Sequence, residues 1–439
     1  MDPMVVETVR AERPPVVAAA DGETVARRTS PWRRWLCRRL LQSAGDPPVC
    51  LVLDDGSEIR ADADERMDSP GEEIRILVHD GCPLLALAAD PIFQFPHQFS
   101  NGTIEVEGDL VELLGLINGA RPPGRLLGLI GRLVSRPWRI QKGTSLWRAR
   151  QNISHHYDIG NDFYRLWLDP RMVYTCAYYE SPELTLEEAQ VAKMDHVCRK
   201  LEIEPGDTVI EAGCGWGALA RHIASVYGAR VRAFNISHEQ IAWARQRAHE
   251  EGLSDRVEFI EDDWRNIDGR CDKFVSVGML EHVGRRNYSE LGTLIDRVLE
   301  PEGRALIHSI GRNQPRHFDD WTEQRIFPGA YPPSPAEMTR IFEPHRFSIL
   351  DVENLRLHYA RTCRDWLERF DDSAEAVREM FDETFERTWR MYLAASVNAF
   401  QVGGLQLFQV LMARERDNTV PWTRMHLYRG SDTSPVSGS

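Results

Sequence analysis

The sequence predicts an α/β fold: a mostly parallel sheet with helices on both faces, preceded by a small α+β domain. Three observations predict it. From Thr208 onward, short apolar runs alternate with segments of helical period, the pattern of a doubly wound sheet. The first run, Val209-Ile210-Glu211-Ala212, breaks into Gly213-Cys214-Gly215-Trp216-Gly217, and helical sequence resumes at Ala218. Before residue 120 the better-patterned runs alternate with period two, and Pro122-Pro123-Gly124 closes that stretch.

Taken in order, residues 1–45 read as a flexible basic segment: Pro14-Pro15, Ala18-Ala19-Ala20, then Arg27 to Arg39 with Trp32 and Trp35. The small domain, 46–119, holds strand-like Val49–Leu53, the turn Asp55-Gly56 and a weakly alternating Ile74–Val78. Thr103–Glu107 alternates well, and a short helix follows at Leu110–Ile117. Residues 120–150 form a basic amphipathic connector. No acidic residue stands between Glu112 and Asp158, while Arg125, Arg132, Arg136, Arg139 and Lys142 interleave with Leu126, Leu133, Trp138 and Trp147. Such a segment can lie on an anionic membrane, or meet the acidic surface of its own chain.

The catalytic domain, 151–419, alternates: strands at Thr208–Ala212, Arg230–Asn235, Val257–Glu261, Phe274–Val277 and Ala305–Ile310, with helices at Ala218–Tyr227, His238–Glu251 and Asn287–Leu299. Ser348–Val352 and Leu405–Leu411 are read as added edge strands, with two helices between them, Cys363–Arg369 and Ala374–Phe400. The Gly/Ser/Pro-rich end makes 420–439 a flexible tail.

Composition narrows the function classes. The chain has 439 residues, 42% apolar and 27% charged, which is ordinary for a soluble globular protein. A net charge of −14 argues against broad nucleic-acid binding. No run is long enough to span a membrane, and Met1–Arg10 does not resemble a signal peptide. Eight scattered cysteines with no CxxC or Cys/His spacing suggest reduced cytosolic thiols and no metal site.

The glycine turn serves a nucleotide-like cofactor, because glycines admit close backbone approach and a helix N-terminus follows. Gly213, Gly215 and Ala218 also satisfy the dinucleotide pattern, a weak match by itself. A nicotinamide enzyme would carry an acid at the end of the next strand, where this chain has Phe234-Asn235-Ile236. The acid instead precedes the glycines, at Glu211, where it suits an amino group. Asp263-Trp264-Arg265 sets an acid beside an aromatic at a third strand end, which suits adenine. These features favour S-adenosylmethionine over NAD, against the plainer reading that Glu211 and Trp264 only pack or cap.

Residues from about Asn152 to Arg414 resemble the cyclopropane-fatty-acyl-phospholipid synthase family, which includes the mycolic acid cyclopropane synthases. The resemblance rests on separated blocks: His156–Asp162, Leu168–Tyr178, Gly213–Gly217, Ser276–Gly284, His308–Gly311, Tyr359 and Tyr392–Ser396. It implies a Rossmann-like methyltransferase sheet and methyl transfer from S-adenosylmethionine to the cis double bond of an acyl chain, with ring closure. An alkene is a poor nucleophile, so the donor must be held in line. The carbocation left behind demands a dry, apolar site. A base must then remove a proton, and the family's use of bound bicarbonate is implied here. By resemblance, Glu281, His308 and Tyr359 hold that anion, with backbone around Cys176 and Ile310.

The resemblance also implies the cofactor contacts: Tyr174 and Thr175 at the sulfonium end, and Glu211, Gly213, Cys214, Gly215 and Gly217 around the methionyl part and ribose. Asn235, Ile236 and Gln240 follow, and Asp263, Trp264 and Arg265 meet adenine. Two departures stand out. Glu211 replaces the family's usual aspartate, and Ser396 stands where the family has a cysteine often marked as active-site. A serine hydroxyl is a far weaker nucleophile than a thiolate, but the chemistry needs no covalent step.

The N-terminal domain resembles longer bacterial members loosely, through Gly102–Leu110. That implies a homodimer peripherally associated with the inner face of the membrane, acting on unsaturated phospholipid. The alternatives are a methylene- or methyl-branched product from the same cation, a non-catalytic lipid-binding protein, and a small-molecule methyltransferase. Acyl chain length, double-bond position and headgroup preference are not readable from the sequence.

Overall fold

The computed structural model describes residues 29–60, 74–118 and 159–428. The connector 120–150 and the block His156–Asp158 lie outside the described residues. The N-terminal part is a four-stranded sheet of order β2-β1-β3-β4: β1 (Val49–Leu53), β2 (Glu58–Arg60), β3 (Ile74–Val78) and β4 (Ile104–Glu107). β1 and β3 run parallel and the other pairs antiparallel. Helices Leu84–Ala89 and Pro91–Ser100, which the strand-centred reading passed over, stand between β3 and β4.

The expectation of a flexible segment through residue 45 is corrected by a helix, Pro31–Ser43. Arg34, Arg38 and Arg39 are exposed, while Leu36, Cys37 and Leu41 fall on one helical face and are buried. The expected flexible tail is likewise corrected up to residue 428: Leu427 is buried and Arg424 pairs with Asp351 at 3.1 Å.

The second sheet has seven strands in the order β10-β11-β9-β8-β5-β6-β7. They are β5 (Thr208–Ala212), β6 (Arg230–Asn235), β7 (Val257–Glu261), β8 (Cys271–Val277), β9 (Leu299–Gly311), β10 (Phe347–Asn354) and β11 (Gln406–Arg414). β5 to β9 are parallel, and β11 pairs antiparallel with both β9 and β10. The two late strands add at one end of the sheet as expected, β10 outermost, and β11, paired on both sides, carries a run of eight buried residues. Three helices, not two, separate β10 from β11: Arg356–Asp372, Ala374–Met380 and Glu383–Gln401. The break comes at Asp382, whose carboxylate accepts from the Phe385 amide at 2.7 Å and starts a new helix.

Side-chain alternation divides the sheet's two faces. Ile210 and Ala212 join Ile307 and the helix Tyr288–Val298 on one side. Val209 and Leu306 face the helices Leu186–Leu201, Ala218–Val226 and His238–Glu250 on the other. By the same alternation Glu211 and His308 fall on this second face. A third cluster joins the N-terminal part to the catalytic part: Ile104 and Leu113 pack in one core with Trp366, Trp389 and Leu393. Helix Glu383–Gln401 lies against both Pro91–Ser100 and Leu110–Asn118.

Candidate active site

The order of the strands makes the site. From β5 the chain passes to β6 and β7 on one side, then crosses back to β8 on the other. The carboxyl ends of β5 and β8 thus lie at a topological switch point, where a crevice opens. The turn after β5 needs its glycines. Gly217 has φ of 75°, and a Cβ there would lie 2.4 Å from the Phe259 ring. Gly215, at φ of 52°, has open space around its missing Cβ and lines the cavity.

That cavity has a volume of about 580 Å³, within the usual range for small-molecule sites. Of the residues expected from sequence, Tyr174, Thr175, Glu211, Gly213, Cys214, Gly215, Asn235, Gln240, Glu281, Ile310, Tyr359 and Ser396 line it. A smaller lobe of about 60 Å³ is lined by Ile236, Asp263, Trp264 and Arg265, and shares Gly213 and Asn235 with the first. Asn235 fixes this junction, since its amide donates to the Gly215 carbonyl and to Gln240 Oε1 at 3.3 and 2.6 Å.

Three expected residues are not on the lining. Gly217 packs beneath Phe259. Cys176 is fully buried, and burial pushes its thiol up, so it is no thiolate. His308 lies behind the wall, with Nδ1 3.0 Å from the Gln409 amide nitrogen. His308 Nε2 and Gln409 Oε1 are both buried without a partner. Burial, with help from Lys193 and Lys200, pulls the imidazole down to about 3 and keeps it neutral.

Other expected roles change. The Ile310 amide, assigned to the anion, donates instead to Glu281 Oε1 at 2.5 Å. Asp263 accepts from the Arg265 amide and guanidinium at 3.0 to 3.1 Å, so Arg265 already satisfies most of its capacity. The Ser396 hydroxyl donates to the Tyr392 carbonyl one turn earlier, a bond within the helix.

Two carboxylates in the cavity are buried and partly unpaired. Glu281 Oε2 and Glu211 Oε2 have no hydrogen-bond partner. Burial pushes Glu281 up to about 7, against the pull of the Ile310 amide. Burial likewise pushes Glu211 up to about 7, opposed by Lys193 and the Ala220 amide. That amide belongs to the helix Ala218–Val226, whose first turn has no side-chain cap from Gly217. Glu211 therefore sits where a bound cation would draw its proton off. An unpartnered carboxylate beside a glycine cradle fits the amino-acid end of S-adenosylmethionine.

Sequence reading missed Lys193, Met279, His282, Arg312 and Tyr392, all on the lining. For Lys193 a signal existed. It falls among Ala189, Gln190, Met194 and Val197 on the buried face of its helix, where a lysine is out of place. The Tyr392 hydroxyl meets that of Tyr174 at 2.8 Å. The lining also carries the apolar Phe318, Phe327, Ala395, Ala399, Phe400 and Leu405, together with Arg312, Asp319 and Thr322.

Residues 144–410 match the family model described as mycolic acid cyclopropane synthetase. The chain belongs to that family. A probable fatty acid methyltransferase of Pseudomonas putida is 33% identical over 403 residues, covering 87% of this chain and 96% of the relative. The cyclopropane-fatty-acyl-phospholipid synthase of Escherichia coli K12 is 39% identical over 264 residues, covering 60% and 68%. The solved mycolic acid cyclopropane synthase CmaA1 complexed with SAH and CTAB is 28% identical with a TM-score of 0.57, covering 60% of this chain and 97% of that one. This member of the synthetase family is an S-adenosylmethionine-dependent methyltransferase, and its family's activity is one-carbon transfer to fatty acyl chains, forming cyclopropane or methyl-branched products.

Gly217→Ala should cost about 3 kcal/mol or more, read as a large fall in the denaturant midpoint. Gly215→Ala should fold with a loss of about 1 kcal/mol and weaken S-adenosylhomocysteine binding by calorimetry. In the wild type that binding should strengthen from pH 6 to pH 8, because Glu211 must lose a proton near 7 to face the ligand's ammonium. Glu211→Gln should bind more weakly and lose that rise.

Proposed function

We propose that the protein transfers a methylene group from S-adenosylmethionine to the cis double bond of an unsaturated phospholipid acyl chain, forming a cyclopropane ring. The observation that carries this reading is one continuous cavity. It brings the glycine turn and Glu211 into one space with Glu281, Ile310 and Tyr359 and with the apolar Phe327 and Phe400. The bound cofactor supplies an electrophilic methyl group on a positively charged sulfur, and bicarbonate supplies a base.

The residues present fit a small anion of that kind. Tyr359, on the lining, stays protonated because burial pushes its hydroxyl well above the usual tyrosine range, and His308 Nε2 is without a partner just behind that lining. Glu281, pushed up to about 7, can keep a proton and face an anion without repelling it. The Ile310 amide holds Glu281 in place, so its part is to position the carboxylate. Tyr359 stacks on Phe400 with ring centroids 4.5 Å apart, which closes that wall against water. Aromatic faces of this kind tolerate positive charge on a bound acyl chain better than they tolerate water.

The reading includes a cytoplasmic homodimer attached to the membrane's inner face. Attachment is supported by the helix Pro31–Ser43, where Trp32 and Trp35 are 56% and 62% exposed beside the exposed Arg34, Arg38 and Arg39. Among the described residues no helix is long and apolar enough to cross a membrane. The homodimer is supported by the resemblance of the N-terminal part alone.

Expression in a host lacking cyclopropane lipids should produce acyl chains with the upfield proton resonances of a three-membered ring. A branched product would show olefinic or methyl signals instead. Unchanged lipids from a protein that binds S-adenosylhomocysteine would overturn the reading. Glu281→Gln should lower turnover by about 100-fold or more with cofactor binding intact. Its stability should move the other way. Glu281 binds its proton more tightly folded than unfolded, so its charge destabilises the fold increasingly from pH 4.5 to about 7. Without ligand at pH 8, Glu281→Gln should therefore melt higher than wild type, and at pH 4 the two should converge.

Replacing Trp32 and Trp35 together by Ala should weaken sedimentation with anionic vesicles by about tenfold and leave S-adenosylhomocysteine binding unchanged. A wild type that ignores such vesicles at low salt would exclude attachment.

A further inference from the structure

Lys193 is only 2% exposed and lies on the wall of the cofactor cavity. Its helix, Leu186–Leu201, runs behind the segment Val173–Thr175 and clamps it: Gln190 donates to the Thr175 carbonyl and Lys193 Nζ to Thr175 Oγ1, both at 2.9 Å. That is one hydrogen bond for a group with three donors. Glu211 lines the same cavity, also 2% exposed, with Oε2 unpartnered. The two feel each other's charge, yet among the described residues no hydrogen bond or ion pair joins them.

Two buried opposite charges that face one cavity without touching make an incomplete arrangement. Each alone costs free energy to keep ionised in a dry site. A ligand that presents an anion to one and a cation to the other would complete both. The amino-acid end of S-adenosylmethionine is such a zwitterion, with a carboxylate and an ammonium on one carbon. Glu211 suits the ammonium. The carboxylate then needs a donor, and Lys193 is the buried cation at that place, beside Thr175.

We propose that Lys193 is the carboxylate subsite of the cofactor, forming with Glu211 a clamp that recognises the zwitterion as a unit. This rests on the methyltransferase reading of the cavity. Binding would give Nζ a charge-assisted acceptor in addition to Thr175 and would hold the methionyl end in one orientation. The surroundings agree. Facing Lys193 are Cys176, Cys198, Asp169, Glu211 and His308. Burial pushes both thiols up and holds His308 neutral, so Asp169 and Glu211 are the anionic groups among them. Asp169 already accepts from the Arg171 and Val173 amides at 3.0 and 2.8 Å. Burial lowers Lys193 to about 8, so an anion at Nζ has a proton to stabilise.

The test compares two ligands that differ only in the carboxylate: S-adenosylhomocysteine and its decarboxylated analogue, 5′-deoxy-5′-(3-aminopropylthio)adenosine. Calorimetry on the full chain should show Lys193→Met weakening the first by about 10- to 100-fold and the second by less than threefold. Equal losses for both would mean that Lys193 only holds Thr175 in place, and would overturn the proposal. No loss for either would overturn it too. The wild type gives a second measurement that needs no variant. Its preference for the carboxylated ligand should fall as pH rises above about 8, as free Lys193 loses its proton. A preference flat from pH 7 to pH 9.5 would count against the clamp. A wild type that binds neither ligand would instead defeat the methyltransferase reading itself.

Discussion

The site depends on the divergence of the chain at the carboxyl ends of β5 and β8. Neighbouring strands whose connections leave in opposite directions cannot fill the space between them with their own loops. Gly213 after β5 and Met279 after β8 come so close there that a Cβ on Gly213 would lie 2.9 Å from that of Met279. Main chain forms the floor of the crevice, and the charged groups stand at its walls. Glu211 on β5, Glu281 just after β8 and Lys193 on the covering helix are brought together by this one feature, although they are far apart in sequence.

Burial then gives these groups their chemical character. A carboxylate in water is an anion at neutral pH, whereas Glu211 and Glu281 in this cavity stand near 7. Each can exist in either form, and a ligand decides which. The same burial removes candidates from the chemistry. Cys176 and Cys363 are held as thiols and His308 as a neutral ring, so none acts as a nucleophile or cation without a partner. In the proposed reading, acid–base work falls to Glu281 and the anion it would orient. Ser396 in place of a cysteine fits this division, since its hydroxyl is committed to its own helix.

The parallel core and the glycine turn were legible because they write themselves locally. β5 and the turn at Gly213–Gly217 follow from an apolar run ended by glycine. What was not legible depends on long-range placement. That β11 lies inside β10 and runs antiparallel to both β9 and β10 is set by pairing across the sheet, not by its own residues. Helix Pro31–Ser43 reads as a charged tail because its apolar face is only three residues wide and needs the sheet beneath it. Within the site, residue types showed which groups could react, but not what they touch. Asp263 looks free for adenine until Arg265 folds back onto it, and the Ile310 amide looks free until Glu281 takes it. Lys193 was missed although a lysine on an apolar helical face is itself a local signal.

The last helix ties the cavity to the N-terminal part. Along Glu383–Gln401, Tyr392, Ala395, Ser396 and Ala399 recur at helical spacing and line the cavity. On the adjoining face Arg387 meets Glu105 of β4 at 3.1 Å, while Met391 and Ala394 are buried in the core shared with the N-terminal part. One helix therefore serves as a wall of the cavity and as a seat for the N-terminal part. A small shift of that part cannot be absorbed by a loop, because no loop intervenes between the two surfaces. It would move Tyr392, and through the hydroxyl contact with Tyr174 would reach the cofactor end of the cavity. The N-terminal part thus braces a helix that lines the cavity, while the lining itself begins at Met172 among the described residues.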